Sequence, residues 1–210
     1  MSVILAAALG YLLGAIPFGL IIGRLTKGID LRDYGSHRTG ATNALRTLGT
    51  RAAAAVFVLD VAKGVAAVVL ARILFTGDPL VEWAAAAAGV AAIVGHNWSL
   101  FIGFTGGRGV ATSAGALAGM SSWTILILAP IVVLVIWRTR YVSLGSVTGA
   151  VAAPIITAVL AAVGAASVPA VAYALGSGLL VTAAHADNIG RLRSGTERKI
   201  GQKEAVSPNG

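Results

Sequence analysis

The residues of this chain with chemistry to offer gather in four polar, Gly-rich segments, each carrying arginine. The first is Tyr34-Gly-Ser-His-Arg-Thr-Gly-Ala-Thr-Asn-Ala-Leu-Arg46. Gly35 and Gly40 open backbone geometries closed to other residues, while Ser36, Thr42 and Asn43 bring donors and acceptors beside Arg38 and Arg46. Arginine with nearby backbone N–H groups suits phosphate oxygens, although an ordinary basic loop has the same composition. The second runs Gly95-His-Asn-Trp98 and on to Gly106-Gly-Arg-Gly-Val-Ala-Thr112. Glycines around Arg108, followed at once by a helix, make an anion site from exposed amides, a helix N-terminus and a cation. It is not a Walker A loop, because the spacing and the Lys-Ser/Thr ending are missing. His96 and Trp98 also suit a membrane interface.

The third segment, Arg138 to Ser146, is a short basic turn holding Ser143. The fourth leaves the last apolar stretch as His185-Ala-Asp-Asn-Ile-Gly-Arg191, where a continued helix would set His185, Asn188 and Arg191 loosely on one face. Asp60 and Lys63 stand apart, three residues from each other inside an apolar run. Charges in such a setting pair, face a bundle interior, or do both, so Lys63 serves either a structural ion pair or an anionic substrate.

The elements that position these segments are apolar helices. Hydrophobic residues make up 57% of 210 residues and charged ones 11%, with a mean hydropathy of +0.85, far from a soluble composition. Punctuation between the apolar runs predicts an all-α, polytopic bundle of about seven spans: 2–23, 52–75, 82–101, 109–121, 122–137, 144–163 and 168–187. The fourth, short and rich in Gly, Ala and Ser, is expected to be tilted, partial or re-entrant, which is tolerated only where protein or a water-filled cavity covers the backbone. Alternating the sides puts 14 of the 16 basic residues on one face, with Lys63 and Arg72 inside the second span. The positive-inside rule then sets the N-terminus outside and the C-terminus in the cytoplasm. The same rule explains the net charge of +8 without invoking nucleic acid. One domain is expected over 1–200, followed by a polar, disordered tail over 201–210. There is no cysteine, and no carboxylate cluster suggests a divalent-metal site.

Taken in order, the motifs resemble one family. They are Gly35-Ser36 with Gly-Ala-Thr-Asn43 and Arg46, Asp60-x-x-Lys63-Gly64, Gly95-His-Asn-Trp98, Gly-Gly-Arg-Gly-Val-Ala-Thr112, Tyr141-Val-Ser143, and His185-x-x-Asn188-Ile-x-Arg191 with Gly195, Glu197 and Lys199. The chain is similar to the acyl-phosphate-dependent glycerol-3-phosphate acyltransferases of bacterial membranes. That resemblance implies seven spans in the cytoplasmic (inner) membrane and an active site facing the cytoplasm. The implied reaction moves a fatty acyl group from acyl phosphate to the 1-hydroxyl of glycerol 3-phosphate, giving lysophosphatidic acid and phosphate, with no cofactor, metal or acyl-CoA. The partners it implies are glycerol 3-phosphate, acyl phosphate and membrane lipids.

On this reading the catalytic candidates are Ser36, Ser143 and His185. Asn43, Arg46, Lys63, Gly106, Gly107, Arg108, Gly109, Asn188 and Arg191 are the candidates for substrate binding. Phosphate is a good leaving group, so positioning and charge stabilisation carry most of the burden. The base is either His185 or the acceptor's own phosphate. Two departures from the family pattern stand out: His37-Arg38 where Gly-Asn is usual, and Thr105 and Arg108 at the two lysine positions of the glycine loop. Two other readings compete: a small transporter lined by Asp60–Lys63 and Gly-rich half-helices, and a relative that binds lipid precursors without catalysis.

Overall fold

The computed structural model describes residues 1–202, so most of the tail expected over 201–210 lies outside the described residues. Among the described residues the chain is helical, with one isolated bridge between Ser99 and Thr105 and no strand. The first apolar stretch is not one helix. It breaks into α1 (Ser2–Ala15) and α2 (Phe18–Lys27) at Ile16-Pro17, where proline supplies no N–H. The break strands two carbonyls inside the bundle, and remote side chains capture both. Ser99 Oγ donates to Ala15 O, and Lys63 Nζ donates to Ile16 O at 3.0 Å.

The short helix α3 (Ala41–Thr47) leads into α4 (Thr50–Leu74) and α5 (Val81–Asn97). Small residues let these backbones approach closely. A β-carbon on Gly10 or Gly14 of α1 would strike the backbone of Ala88 or Ala92 on α5, a small-xxx-small contact of the kind that replaces the hydrophobic drive in lipid. Then come α6 (Val110–Met120), α7 (Ser122–Thr139), α8 (Val142–Ala162), α9 (Val168–Ala184) and α10 (Ala186–Arg193).

Among the described residues four stretches are long and apolar enough to cross a bilayer: Ser2–Lys27, α4, α7 and α8; α9 with α10 makes a fifth if the bent pair counts as one. The outer face of α7 leaves Trp123, Leu126, Val133, Leu134 and Trp137 more than half exposed, a surface fit for lipid. The chain is thus an all-helical integral membrane protein.

The eleven residues of α6 cover about 16 Å at 1.5 Å per residue, half a hydrocarbon core. Gly64 of α4 packs on the Thr112 backbone, Gly115 of α6 on that of Val61. Arg72 caps the far end by donating to Gly119 O at 2.6 Å while its other nitrogens grip Glu82. Arg72 therefore belongs to the last turn of α4 rather than to its middle. The start of α6, with the glycine loop before it, lies near Asp60, ten residues into α4, about 15 Å along that helix.

Helix α9 ends earlier than the sequence reading of 168–187 and meets α10 at a 60° bend. The cause is local. His185 Nδ1 takes the Val181 carbonyl at 2.7 Å, and the His185 N–H turns to Thr182 O instead. His185 caps α10 and its carbonyl accepts from Ile189 N–H at 2.9 Å, so His185, Asn188 and Arg191 keep their spacing on α10 rather than on a continued α9.

Candidate active site

All four polar segments converge on one cavity of about 430 Å³. Ser36, Arg38, Asn43 and Arg46 come from the first. His96, Arg108 and Gly109 come from the second, Ser143 from the start of α8, and His185, Asn188, Glu197 and Arg198 from the last. Beyond this polar end the walls turn apolar: Leu117 of α6, Leu128 and Val132 of α7, and Gly149 and Ala153 of α8. The cavity has a cationic head and a greasy slot.

Asn43 builds the first wall. Its Nδ2 donates to the carbonyls of Leu31, Tyr34 and Arg38 (3.0, 3.0 and 2.8 Å), and its Oδ1 accepts from Ser36 N at 3.0 Å. That amide is committed to the loop, which sets Ser36 at the rim with its hydroxyl free of any hydrogen bond among the described residues. The second wall is tied to the first. Arg32 is held by Asp30 and donates to Ile102 O (2.9 Å) and Thr105 Oγ1 (3.1 Å), and Thr39 N–H reaches Gly106 O at 3.5 Å.

Gly106 and Gly107 do not line the cavity; they pack against His96. A β-carbon on Gly106 would meet the carbonyls of His96 and Asn97, and one on Gly107 the imidazole Nε2. Gly109, at φ 74°, turns the chain into α6. Only glycine enters this left-handed region freely.

Lys63 also lies off the cavity. Its Nζ is 2.8 Å from Asp60 Oδ1, and His96 Nδ1 is 3.4 Å from the same oxygen. Asp60 faces the cavity while Lys63 stands behind it, against Phe18. Arg191 plays the matching part at the other side. Its Nε donates to Glu197 at 2.7 Å, and Asn188 Nδ2 donates to the other carboxylate oxygen at 2.6 Å. Asn188 Oδ1 is left buried and unpaired in the cavity wall. Ser143 Oγ lies beside Glu197 without a well-aligned hydrogen bond. Burial alone would raise the Glu197 carboxyl, but the hydrogen bonds from Asn188 and Arg191, with the Arg191 charge and the nearby Ser143 hydroxyl, hold it below its usual range. Glu197 is the central residue of this wall, and Asn188 does not reveal it. The two lie nine positions apart across the turn at Gly195, so no helical periodicity links them.

His185 is 3% exposed and its tautomer follows from its partner. A carbonyl can only accept, so Nδ1 carries the proton given to Val181 O and Nε2 is the basic nitrogen. The lining cations are Arg38, Arg46, Arg108 and Arg198; the lining carboxylates, Asp60 and Glu197, each have a cation behind them.

Residues 4–195 match the profile of a family described as glycerol-3-phosphate acyltransferase. A glycerol-3-phosphate acyltransferase of Shouchella clausii (strain KSM-K16) is 44% identical over 206 residues, covering 98% of this chain and 99% of that one. Another, from Synechococcus sp. (strain JA-3-3Ab), is 46% identical over 208 residues, covering 99% and 98%. Among solved structures, PlsY (YgiH), an integral membrane glycerol 3-phosphate acyltransferase, superposes in its glycerol 3-phosphate form with a TM-score of 0.84 at 36% identity, covering 96% of each chain. Its lysophosphatidic acid form gives 0.83 at 35%. Sequence, fold and the resemblance in the motifs agree: the chain belongs to the glycerol-3-phosphate acyltransferase family.

Proposed function

We propose that this protein transfers a fatty acyl group from acyl phosphate to the 1-hydroxyl of glycerol 3-phosphate, releasing lysophosphatidic acid and phosphate, the first acylation of phospholipid synthesis. One observation carries the reading. A single cavity joins an arginine-rich head to an apolar slot, which suits a phosphorylated headgroup attached to an acyl chain. The known relatives support the acceptor and the product, since PlsY has been solved in both forms.

In this scheme the acyl chain lies in the slot between α6, α7 and α8. The donor phosphate sits at Arg108 and the first turn of α6, and glycerol 3-phosphate beside Arg46, Asn188 and His185. Ser36 and Ser143 orient phosphoryl and carbonyl oxygens. His185 Nε2 takes the proton from the attacking hydroxyl, while the acyl–oxygen bond to phosphate breaks and phosphate departs with the electron pair. Lys63 and Arg191 act from behind by holding Asp60 and Glu197, and Asn43 by holding the loop of Ser36.

The proposed topology counts α1 with α2 as one span, followed by α4, α5, α6, α7, α8 and α9. It places the cavity's basic mouth on the cytoplasmic side of the bacterial inner membrane and the N-terminus outside. Residues 1–200 form one domain. A transporter is disfavoured because the polar groups occupy one end of the cavity and its other end is apolar. Purified protein given acyl phosphate and glycerol 3-phosphate, without CoA, should release lysophosphatidic acid and one phosphate per turnover. Absence of product at every chain length sinks the proposal.

A further inference from the structure

Two guanidinium groups face this cavity from two adjoining loops. Arg108 is partly buried, and its Nε is enclosed without a partner. Burial depresses its proton affinity and the like charge of Arg38 adds to the effect, while Asp187 and Glu197 oppose it; the bond from Thr39 N–H to Gly106 O at 3.5 Å brings the two arginine-bearing loops side by side. The Arg38 side chain makes neither a hydrogen bond nor an ion pair among the described residues. Like charges held together at a partly buried site cost energy that a shared anion relieves.

Their juxtaposition is built into the backbone. Arg38 follows His37, a non-glycine residue at φ 55° whose Nδ1 is anchored to the Arg32 carbonyl at 2.8 Å. A residue held there against its preference marks a turn fixed by its surroundings. The Arg38 carbonyl accepts from Asn43 and the next N–H reaches Gly106 O. The link from Arg32 to Thr105 fastens the two loops again. Thr105 itself points its hydroxyl at Ile102 O rather than into the cavity.

We propose that Arg38 is a second anion-binding residue, clamping with Arg108 the phosphoryl group of the acyl donor and the phosphate that leaves it. The choice of donor over acceptor comes from position. Arg108 stands at the head of α6, whose Val110, Ala114 and Leu117 run on into the apolar slot. A phosphoryl group between the two arginines would have its acyl chain directed along that helix. As the acyl–oxygen bond breaks, negative charge grows on the departing phosphate, where a second guanidinium acts more strongly than on the bound donor. This rests on the proposed acyl-phosphate reaction.

The test uses Arg38→Gln and Arg38→Lys in the purified full chain. Loss of one charge-assisted contact should raise KM for acyl phosphate, and the inhibition constant for inorganic phosphate, about tenfold each. KM for glycerol 3-phosphate should stay within about twofold, and Arg38→Lys should recover part of the loss. An unchanged KM for acyl phosphate, or a change confined to glycerol 3-phosphate, overturns the assignment. Inorganic phosphate as a thermal stabiliser, at constant ionic strength, gives a readout independent of turnover. Phosphate should raise the wild-type melting temperature and raise it much less in Arg38→Gln. Equal rises overturn the clamp even if the wild type proves inactive with acyl phosphate, an outcome that would instead count against the proposed reaction.

Discussion

Gly106→Ala should damage catalysis more than folding. A β-carbon there would meet two backbone carbonyls, those of His96 and Asn97, the latter at 2.8 Å. Neither can rotate away as a side-chain tip could, so the loop itself must shift. Restoring van der Waals contact takes a displacement of up to about 1 Å, two residues before Arg108, and a misplacement of that size costs about 100-fold in rate. That corresponds to about 2.7 kcal/mol of transition-state stabilisation. Overpacking should lower stability by about 1–3 kcal/mol. The measurement is kcat/KM with acyl phosphate and glycerol 3-phosphate, beside a thermal melt in detergent. Gly190→Ala is the control, since its β-carbon would point into open space within α10 and should be neutral or mildly stabilising. A Gly106→Ala enzyme within twofold of wild type would show that the contact does not set the position of Arg108.

His185→Gln should lower kcat by roughly 100- to 10,000-fold and remove the acid limb of the pH–rate profile. A retained limb would assign the base to the acceptor's phosphate. Asp60→Ala leaves the Lys63 ammonium buried without its counter-ion, with the Ile16 carbonyl still accepting from it, and should cost about 3–5 kcal/mol. Replacing both residues by apolar ones of similar size should cost less, since Phe18 N–H still serves that carbonyl, and equal losses in chemical or thermal melts would refute the pairing. Glu197 has a folded pKa below its ordinary 4.5. Its contribution is therefore complete above that pH and is lost as pH falls through the lowered value. Melting temperatures of wild type and Glu197→Gln should differ steadily from pH 7 to about 4.5 and converge in stronger acid; a gap that persists would exclude this linkage.

Composition made the membrane helices legible, because hydrocarbon solvation admits little else than long apolar helices. The shortness of the fourth apolar element was readable for the same reason: its eleven residues, rich in Gly, Ala and Ser, cover only about half a hydrocarbon core. Hydropathy was blind to the break at Pro17, since the carbonyls it frees are satisfied by Ser99 and Lys63, far away in the chain. The same blindness extended the third span to 101, where the structure ends α5 at Asn97 and folds Ser99 back on Thr105. Most of the site was visible as residue types, but its division of labour was not. Asn43, Lys63 and Arg191 read as ligands; Asn43 and Lys63 spend their polar atoms on protein partners, and Arg191 commits its Nε to Glu197. Arg38 and Glu197, which face the cavity, were visible only as a departure from the family pattern and as part of its last motif, and no spacing assigned either a role.

The shallow reach of α6 bears on how a water-insoluble donor is handled. With the glycine loop about 15 Å along α4, the proposed topology sets the bond to be broken below the level of the lipid headgroups. A substrate can slide in sideways with its tail still among its neighbours. Lifting a sixteen-carbon chain into water would cost on the order of 12 kcal/mol at about 0.8 kcal/mol per methylene. An enzyme built this way avoids that step at entry and again at exit. On the proposed reaction and topology, traffic in the fatty partner is two-dimensional, and only the small phosphates cross between membrane and cytosol.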